Sequence, residues 1–317
     1  MTLNSSELKK RALASYFGLA IGDALGATTE FMRPGDIRAK YGVHRNMIGG
    51  GWLCLAPGQI TDDTEMSLAL GEALLESGGM DLNRIALKFI SWMQSNPVDI
   101  GATVRRGLQR IIATGQLKAE FSESAAGNGA AMRNLPVILA TLASKDDFCN
   151  WSISQSHLTH NHPEADIGIL ILGDLTRRAL LSGLDAPLQT LANEWITRFP
   201  KFDYCHNRRK TSGYIVHTVQ NVLDFFFSTA DFESCLMGVV NCGGDADTNG
   251  ALAGMLAGAF YGLESIPKRW LNRLDPKARQ SIARQVESLL ELFSPGVKSR
   301  EFEKDSPLLE EYIRSLI

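Results

Sequence analysis

Two short acidic segments, far apart in the chain, contain the residue types best suited to chemistry. The first is TDDT at residues 61–64 and the second is DADT at residues 245–248. In the second segment Asp245 and Asp247 are two residues apart, so in extended or turn geometry both side chains project to the same side, with the Thr248 hydroxyl nearby. Oxygen donors of this kind select hard cations such as Mg²⁺, Mn²⁺ or Ca²⁺ rather than zinc.

Each acidic segment also has a purely structural interpretation. Thr61 is typical of a helix N-cap, and Asp62 and Asp63 in the first turn would interact favourably with the helix dipole. Thr248 could likewise cap the glycine-rich helix that follows it. Sequence alone leaves these alternatives open, because a metal site requires that the two segments meet in the fold.

Convergence of the two segments would have a large electrostatic cost. Two carboxylates about 5 Å apart repel by about 3 kcal/mol at an effective dielectric constant of about 20. Four aspartates in one small volume would therefore need protons or cations, and two divalent cations would balance their charge. Glu30 or Asp23 could complete the ligand set.

Glycines recur at every fourth position in two stretches, residues 18–26 and 250–262. On a helix this spacing keeps them along one stripe, where another backbone can approach closely. Each glycine costs about 1 kcal/mol relative to alanine in a helix, so a compensating contact is expected. The first stretch contains Asp23 and leads to Glu30, and the second follows Asp247, so packing these two helices together would deliver the acids to one place.

The hydrophobic pattern predicts an all-α protein. Apolar residues recur at three- and four-residue steps along most of the chain, even in the β-branched run at residues 212–227. We predict a single compact domain over residues 1–317, with loops at residues 33–57, 118–129 and 200–212 gathered over a site.

Composition restricts the possible partners. The net charge of −3, with both signs spread along the chain, provides no basic surface for nucleic acid or an anionic membrane. The five cysteines form no CxxC pair, which argues against a disulfide framework and indicates a reducing compartment. Asp23 interrupts the apolar run near the start, and residues 250–262 are too short to span a bilayer, so we expect a cytoplasmic protein without an intrinsic membrane anchor.

Two loops are candidates for binding a ligand. In AGNGAAMRNLP, residues 126–136, exposed backbone N–H groups at a helix start would suit phosphate oxygens, although an ordinary loop is the alternative. His160 and His162 have the spacing of an H-x-H zinc pair, but Pro163 and Glu164 resemble the first turn of a helix. We therefore favour capping and packing roles here, with a neutral His160 that hydrogen-bonds a ligand phosphate or ribose.

Two single residues have competing interpretations. Asp99 precedes a helical run and could be its N-cap, or it could be a carboxylate that shuttles protons at the mouth of a site. Trp52 follows three glycines and could line an aromatic pocket, but we expect it to pack in the core.

Five motifs together resemble the ADP-ribosylglycohydrolase family. They occur in the family's order and spacing between about residues 10 and 290, and they are GDALG at residue 22, TDDT at 61, GNGAAMR at 127, HNHP at 160 and GGDADTNGALAGMLAGAFYG at 243. Further segments, including PGQITDDTEMSLALG from residue 57 and PVDIG from residue 97, are most similar to the family members that act on dinitrogenase reductase in nitrogen-fixing bacteria.

This resemblance implies an all-α fold around two Mn²⁺ or Mg²⁺ ions. It also implies hydrolysis of the N-glycosidic bond between ADP-ribose and an arginine of dinitrogenase reductase, which restores that protein's activity. Asp99 matches the family's proposed catalytic carboxylate. The implied metal ligands are Glu30, Thr61, Asp62, Asp63, Asp245, Asp247 and Thr248.

For the rest of the substrate, we expect Gly127, Asn128, Gly129 and His160 to hold the pyrophosphate and the adjoining ribose. The resemblance further implies regulation by P-II signalling and ammonium-transport proteins, which would recruit the protein to the membrane. Two alternatives stay open from sequence. One is hydrolysis of another ADP-ribosyl linkage, to serine or in O-acetyl-ADP-ribose, and the other is a regulator that binds ADP-ribose without cleaving it.

Overall fold

The computed structural model describes residues 5–205 and 210–292, together with Arg314. These residues contain helices and no β-strand, which confirms the all-α prediction. The α-helices are α1 (Ser5–Gly26), α2 (Pro34–Tyr41), α3 (Asp62–Ser77), α4 (Leu82–Gln94), α5 (Ala102–Thr114), α6 (Leu135–Ala140), α7 (Lys145–Ser156), α8 (Pro163–Ser182), α9 (Leu188–Arg198), α10 (Ile215–Ser228), α11 (Phe232–Val240), α12 (Ala246–Tyr261), α13 (Lys268–Arg273) and α14 (Pro276–Leu292).

The predicted loops are shorter than expected. Residues 33–57 include helix α2, which begins with Pro34 at a position where the missing N–H of proline has no cost. The loop at 118–129 holds a 3₁₀ turn, Glu123–Ala125, and part of the loop at 200–212 lies outside the described residues. The run at 212–227 does form a helix, α10, although it begins at Ile215.

Helices α1 and α12 form the centre of the fold. Every residue from Ala14 to Gly26 in α1 is buried, and so is every residue from Ala246 to Ala259 in α12. A helix that is apolar on all sides is stable only inside a protein, where other helices cover each face. Helices α8, α10 and α11 pack on α12, while α14 and α3 pack on α1.

The glycine stripes bring the backbones of α1 and α12 into direct contact. A Cβ atom added to Gly22 would lie 1.9 Å from the carbonyl oxygen of Gly250, and one added to Gly18 would lie 2.0 Å from that of Gly254. Across the same seam the Ser15 hydroxyl donates a hydrogen bond of 2.9 Å to the carbonyl of Met255. The predicted close approach is therefore confirmed, since no side chain fits between the helices at these positions.

A continuous hydrophobic cluster extends from Ala12 in α1 to Leu289 in α14 and includes residues of most helices between them. That a single domain covers residues 1–317 stays a prediction. Among the described helices, none combines the length and apolar composition needed to cross a bilayer.

The helix contact can be tested with two glycine substitutions. Gly22→Ala should lower the free energy of unfolding by about 2–3 kcal/mol or more, because overpacking forces the backbones of α1 and α12 apart. Gly35→Ala in α2 is the matched control: an added Cβ there meets nothing within 4 Å, so stability should stay the same or rise slightly. Urea denaturation measures both, and equal effects would contradict the proposed role of the stripe.

Candidate metal centre

The first acidic segment begins helix α3, but the backbone N–H groups at the start of this helix are bound by Asp23, which is distant in sequence. Thr61 occupies the N-cap position as predicted, yet its side chain caps no backbone N–H of the helix. The carboxylate of Asp23 accepts hydrogen bonds from the backbone N–H groups of Thr61 and Thr64 and from both hydroxyls, at 2.5–3.2 Å. Asp23 is thus occupied by four donors, and it orients the segment rather than serving as the extra ligand that we considered.

The second acidic segment begins helix α12. Asp245 is its N-cap residue and makes no capping hydrogen bond, whereas Thr248 lies within the first turn, so the capping interpretation of Thr248 is wrong. Gly243 and Gly244 precede it with φ angles of +65° and +64°. This left-handed conformation is readily available only to glycine, and it lets the chain turn sharply into α12.

The glycine turn also docks the second segment beside Glu30. The N–H of Phe31 donates to the carbonyl of Gly244 at 2.6 Å, and the N–H of Gly244 donates to the carbonyl of Met32 at 3.0 Å. Carboxylate oxygens of Glu30, Asp245 and Asp247 consequently lie within 4.8 Å of one another, a spacing that one cation can bridge.

The two acidic segments lie in contact in the fold, which is the condition that a shared metal site requires. The Thr248 hydroxyl lies 3.4 Å from Oδ2 of Asp63, and the Thr61 hydroxyl lies 3.3 Å from the same oxygen. Asp62, Asp63 and Asp247 are buried. One small volume therefore holds carboxylates from the N-termini of two helices, together with the carboxylate of Glu30.

Burial and mutual repulsion make these groups hard to ionise. Burial is the main cause that raises the pKa of Glu30 to about 7 and that of Asp245 to about 6. Burial, followed by the charges of neighbouring carboxylates, also raises the pKa values of Asp62, Asp63 and Asp247 well above their usual range. Folding thus concentrates negative charge, and within residues 5–205 and 210–292 no cationic side chain is among the main causes of these pKa shifts, which is the condition that divalent cations relieve.

The donor set fits such cations. Oδ1 of Asp63 is buried and has no hydrogen-bond partner among the described residues, which is unusual for a carboxylate oxygen. The surrounding donors are carboxylates and hydroxyls, the ligands that Mg²⁺ and Mn²⁺ prefer. A ligand set drawn from the seven predicted residues is therefore compatible with the arrangement, although their individual roles stay a prediction.

Asp99 lies at the edge of this cluster. Its carboxylate accepts a hydrogen bond from the adjacent N–H of Ile100, at 2.7 Å, and the N-cap of α5 is Gly101. Asp99 is half-buried, burial raises its pKa, and its charge contributes to the raised pKa values of Asp62 and Glu30. The N–H of Gly101 donates to Oδ2 of Asp62 at 3.2 Å, which holds the Asp99 loop against the acidic cluster.

The glycine loop at residues 127–129 contacts the cluster through Asn128. The amide nitrogen of Asn128 donates to Oδ2 of Asp245 at 2.5 Å and to the Thr218 hydroxyl at 2.9 Å. Both amide hydrogens are then used inside the protein, so this nitrogen positions Asp245. Substrate contacts by Gly127, Asn128 and Gly129 stay a prediction.

His160 lies directly behind the same loop. A Cβ added to Gly129 would come within 3.1 Å of Nε2 of His160, so a larger residue there would require the ring to shift by a few tenths of an ångström. Burial, together with the charge of Arg133, lowers the pKa of His160 to about 3, and the ring is therefore neutral. His162 caps α8 by accepting the N–H of Glu164, as expected for a capping histidine rather than half of a zinc pair.

A chain of hydrogen bonds reaches Nδ1 of His160 through the Thr159 hydroxyl. Arg133 donates to the Thr159 hydroxyl at 2.9 Å, and that hydroxyl lies 2.7 Å from Nδ1 of His160. With Arg133 donating to it, the hydroxyl can donate its own hydrogen to Nδ1, and in that tautomer the ring hydrogen is on Nε2. In that tautomer His160 presents an N–H donor toward the glycine loop.

Comparison with known proteins agrees with this geometry. The sequence model described as ADP-ribosylglycohydrolase matches residues 4–297. The chain belongs to the ADP-ribosylglycohydrolase family. It is 50% identical over 282 residues to the ADP-ribosyl-[dinitrogen reductase] glycohydrolase of Rhodospirillum rubrum, covering 89% of this chain and 96% of that protein.

Other members of the family are similar over comparable lengths. The ADP-ribosylarginine hydrolase Tri1 of Serratia proteamaculans (strain 568) is 32% identical over 295 residues, which cover 87% of this chain and 78% of Tri1. A solved structure titled ADP-ribosylglycohydrolase-related protein complex superposes with a TM-score of 0.81 at 34% identity, covering 90% of this chain and 99% of that one.

Sequence reasoning placed Trp52 wrongly and missed several supporting residues of this ADP-ribosylglycohydrolase. Trp52 is 53% exposed rather than part of the core, and its indole N–H donates to Oε2 of Glu30 at 2.5 Å. The roles of Thr218 and Arg133 had no local signal, because each acts on a residue at least 26 positions away. The three glycines before Trp52 are the sequence feature that indicates a close approach of this segment to another backbone.

Removing one charge from the cluster should separate stability from cation binding. At pH 8 without metal, Asp247→Asn should raise the free energy of unfolding by about 1–3 kcal/mol, because it relieves repulsion. The same substitution should abolish most of the rise in melting temperature on adding Mn²⁺. Asp147→Asn, also in the first turn of a helix but exposed, should change neither quantity appreciably. A normal Mn²⁺ response in Asp247→Asn would exclude this carboxylate as a ligand.

The cluster also predicts a pH dependence. The pKa of Glu30 is about 7 in the folded protein against 4.5 as the ordinary value, and that of Asp245 is about 6 against 3.8. Between these values the folded state keeps protons that the unfolded state has lost, so rising pH favours unfolding. The melting temperature of the metal-free protein should therefore fall from about pH 4 through pH 7 relative to the Mn²⁺-loaded protein. A gap between the two that stays constant over this range would contradict the raised pKa values.

Proposed function

We propose that this protein is a metal-dependent hydrolase that removes ADP-ribose from an arginine of a modified protein. The observation that carries the proposal is the meeting of the acidic segments, marked by the Thr248–Asp63 contact and by the carboxylates of Glu30, Asp245 and Asp247 within 4.8 Å. The similar proteins named above are an ADP-ribosyl-[dinitrogen reductase] glycohydrolase and an ADP-ribosylarginine hydrolase. We take dinitrogenase reductase as the protein substrate of this chain, whose activity the reaction would restore.

Two Mn²⁺ or Mg²⁺ ions would be held by Glu30, Thr61, Asp62, Asp63, Asp245, Asp247 and Thr248. Bound there, the ions would anchor the ribose hydroxyls and acidify a water molecule. The protein's part is to hold the ligands in place before substrate arrives. Asp23 fixes the start of α3, and Asn128 fixes the Asp245 carboxylate, so little rearrangement is needed on binding.

Asp99 is the residue we assign to proton transfer. Cleavage of an N-ribosyl bond builds positive charge at C1 of the ribose, and the guanidine must leave with a proton. A carboxylate with a raised pKa, half-exposed beside the cluster, can exchange that proton with the sugar or the leaving guanidine. His160 is neutral, and with its ring hydrogen on Nε2 it would suit a hydrogen bond to a pyrophosphate or ribose oxygen at the 127–129 loop.

Regulation of this activity rests on the resemblance alone. Recruitment to the membrane by P-II signalling and ammonium-transport proteins, and a cytoplasmic location otherwise, stay predictions. Binding of purified P-II protein to this chain would test the first of them.

The proposal is tested with ADP-ribosylated dinitrogenase reductase. Incubation with the protein and Mn²⁺ should remove the modification from the arginine, as followed by mass spectrometry, and EDTA should stop the reaction. Asp99→Asn should lower kcat by about 10²-fold or more while substrate binding is retained, because only proton transfer is lost. Asp147→Asn is the control and should keep full activity. An unchanged kcat in Asp99→Asn would remove this residue from the chemistry, and release from serine-linked but not arginine-linked peptide would overturn the assigned linkage.

A further inference from the structure

Two large aromatic side chains stand exposed beside the acidic cluster. Phe31 is 66% exposed and Trp52 is 53% exposed, and their ring centroids are 5.3 Å apart with the planes tilted by 49°. Phe31 directly follows Glu30 in the chain, and Trp52 is hydrogen-bonded to the Glu30 carboxylate. The pair therefore forms part of the rim of the site, and neither ring belongs to the hydrophobic core cluster.

The backbone of Phe31 makes its exposure more unusual. Its φ angle is +60°, a left-handed conformation that a bulky side chain seldom adopts. The hydrogen bond from its N–H to Gly244 at 2.6 Å holds it there. A glycine would adopt this conformation without strain, and an exposed phenylalanine returns little burial energy. A strained and exposed residue at the edge of a site points to a role in binding.

Trp52 is held in one orientation by Glu30. Its indole N–H donates to Oε2 of Glu30 at 2.5 Å, so this hydrogen bond orients the ring beside the Glu30 carboxylate. The negative charges of Asp99 and Asp245 also act on Glu30. Aromatic faces beside concentrated negative charge form an environment that attracts a flat, weakly hydrated cation.

We propose that Phe31 and Trp52 bind the guanidinium group of the modified arginine and thereby select an arginine-linked over a serine-linked substrate. This inference rests on the proposed function and adds a recognition element for the acceptor. The guanidinium is planar and charged, so it can stack on a ring at the rim of the site. A serine side chain offers neither property. Stacking would also keep the leaving guanidine close to Asp99 during cleavage.

Binding measurements on a slow variant test this assignment. In an Asp99→Asn background with Mn²⁺, calorimetry would give dissociation constants for an ADP-ribosyl-arginine peptide, for an ADP-ribosyl-serine peptide and for free ADP-ribose. Replacing Phe31 by alanine should weaken the arginine-linked peptide by about fivefold and leave the other two ligands unchanged. Phe31→Tyr, which keeps a stacking ring, should restore tight binding. Leu184→Ala, another exposed apolar residue, should affect none of the ligands.

Stability provides a second, independent readout. Phe31→Gly should raise the melting temperature, because glycine relieves the backbone strain, and should still weaken the arginine-linked peptide. A lower melting temperature would mean that Phe31 supports the fold, and the recognition role would then be wrong.

The possible outcomes keep this inference separate from the proposed function. Equal weakening of ADP-ribose and the arginine-linked peptide would assign the aromatic pair to the nucleotide and overturn the proposal, as would no change at all. These affinities need no turnover. Failure of the wild-type protein to cleave the arginine linkage would therefore count against the proposed function alone.

Discussion

The direct backbone contact between α1 and α12 is the constraint on which the site depends. One end of each helix lies at the acidic cluster. Asp23 is in the last turn of α1, and Asp247 is in the first turn of α12. A Cβ at Gly22 would lie only 1.9 Å from a carbonyl oxygen of the facing helix. Any larger residue along the seam would move one helix relative to the other, and the carboxylates at its end would move with it.

This rigid seam explains how the fold tolerates so much buried negative charge. Carboxylates that repel one another would separate if the backbone could yield. Here the packing energy of two fully buried helices opposes the separation, and the pKa values of Glu30 and the aspartates rise instead. Because the core holds the helices that carry the charges, the repulsion is not relieved by movement. It instead favours the binding of protons or cations to the carboxylates.

Hydrogen bonds from outside the cluster decide which oxygens stay available. Asp23 takes up the N–H groups at the start of α3, so the side chains of Asp62 and Asp63 are not needed as caps. Asn128 and Trp52 each donate to one oxygen of an acid, Asp245 and Glu30 respectively. Each acid is thereby oriented by one oxygen while the other can face a ligand, which is how supporting residues around metal sites commonly act.

The helices and the glycine contact could be predicted from the sequence, because each has a local or periodic pattern. The meeting of the two acidic segments would follow from that helix contact, but the sequence alone left it open. The partners of individual side chains could not be predicted in this way. The Asp23–Thr61 bond spans 38 residues and the Asn128–Asp245 bond spans 117, and nothing in either local pattern specifies the other end. Trp52 was misplaced for a related reason, since hydrophobicity alone cannot tell a core tryptophan from one held at a rim by a hydrogen bond.

The residues on two sides of the cluster differ in their exposure, in a way that suits a protein substrate. At the glycine loop, His160 is buried and lies against Gly127 and Gly129. Beside Glu30, in contrast, the aromatic rings of Phe31 and Trp52 are more than half exposed. An arginine on a folded protein can reach the cluster only through an open rim, because its backbone must stay outside. A deep, rigid pocket on every side would admit free ADP-ribose and exclude the modified protein.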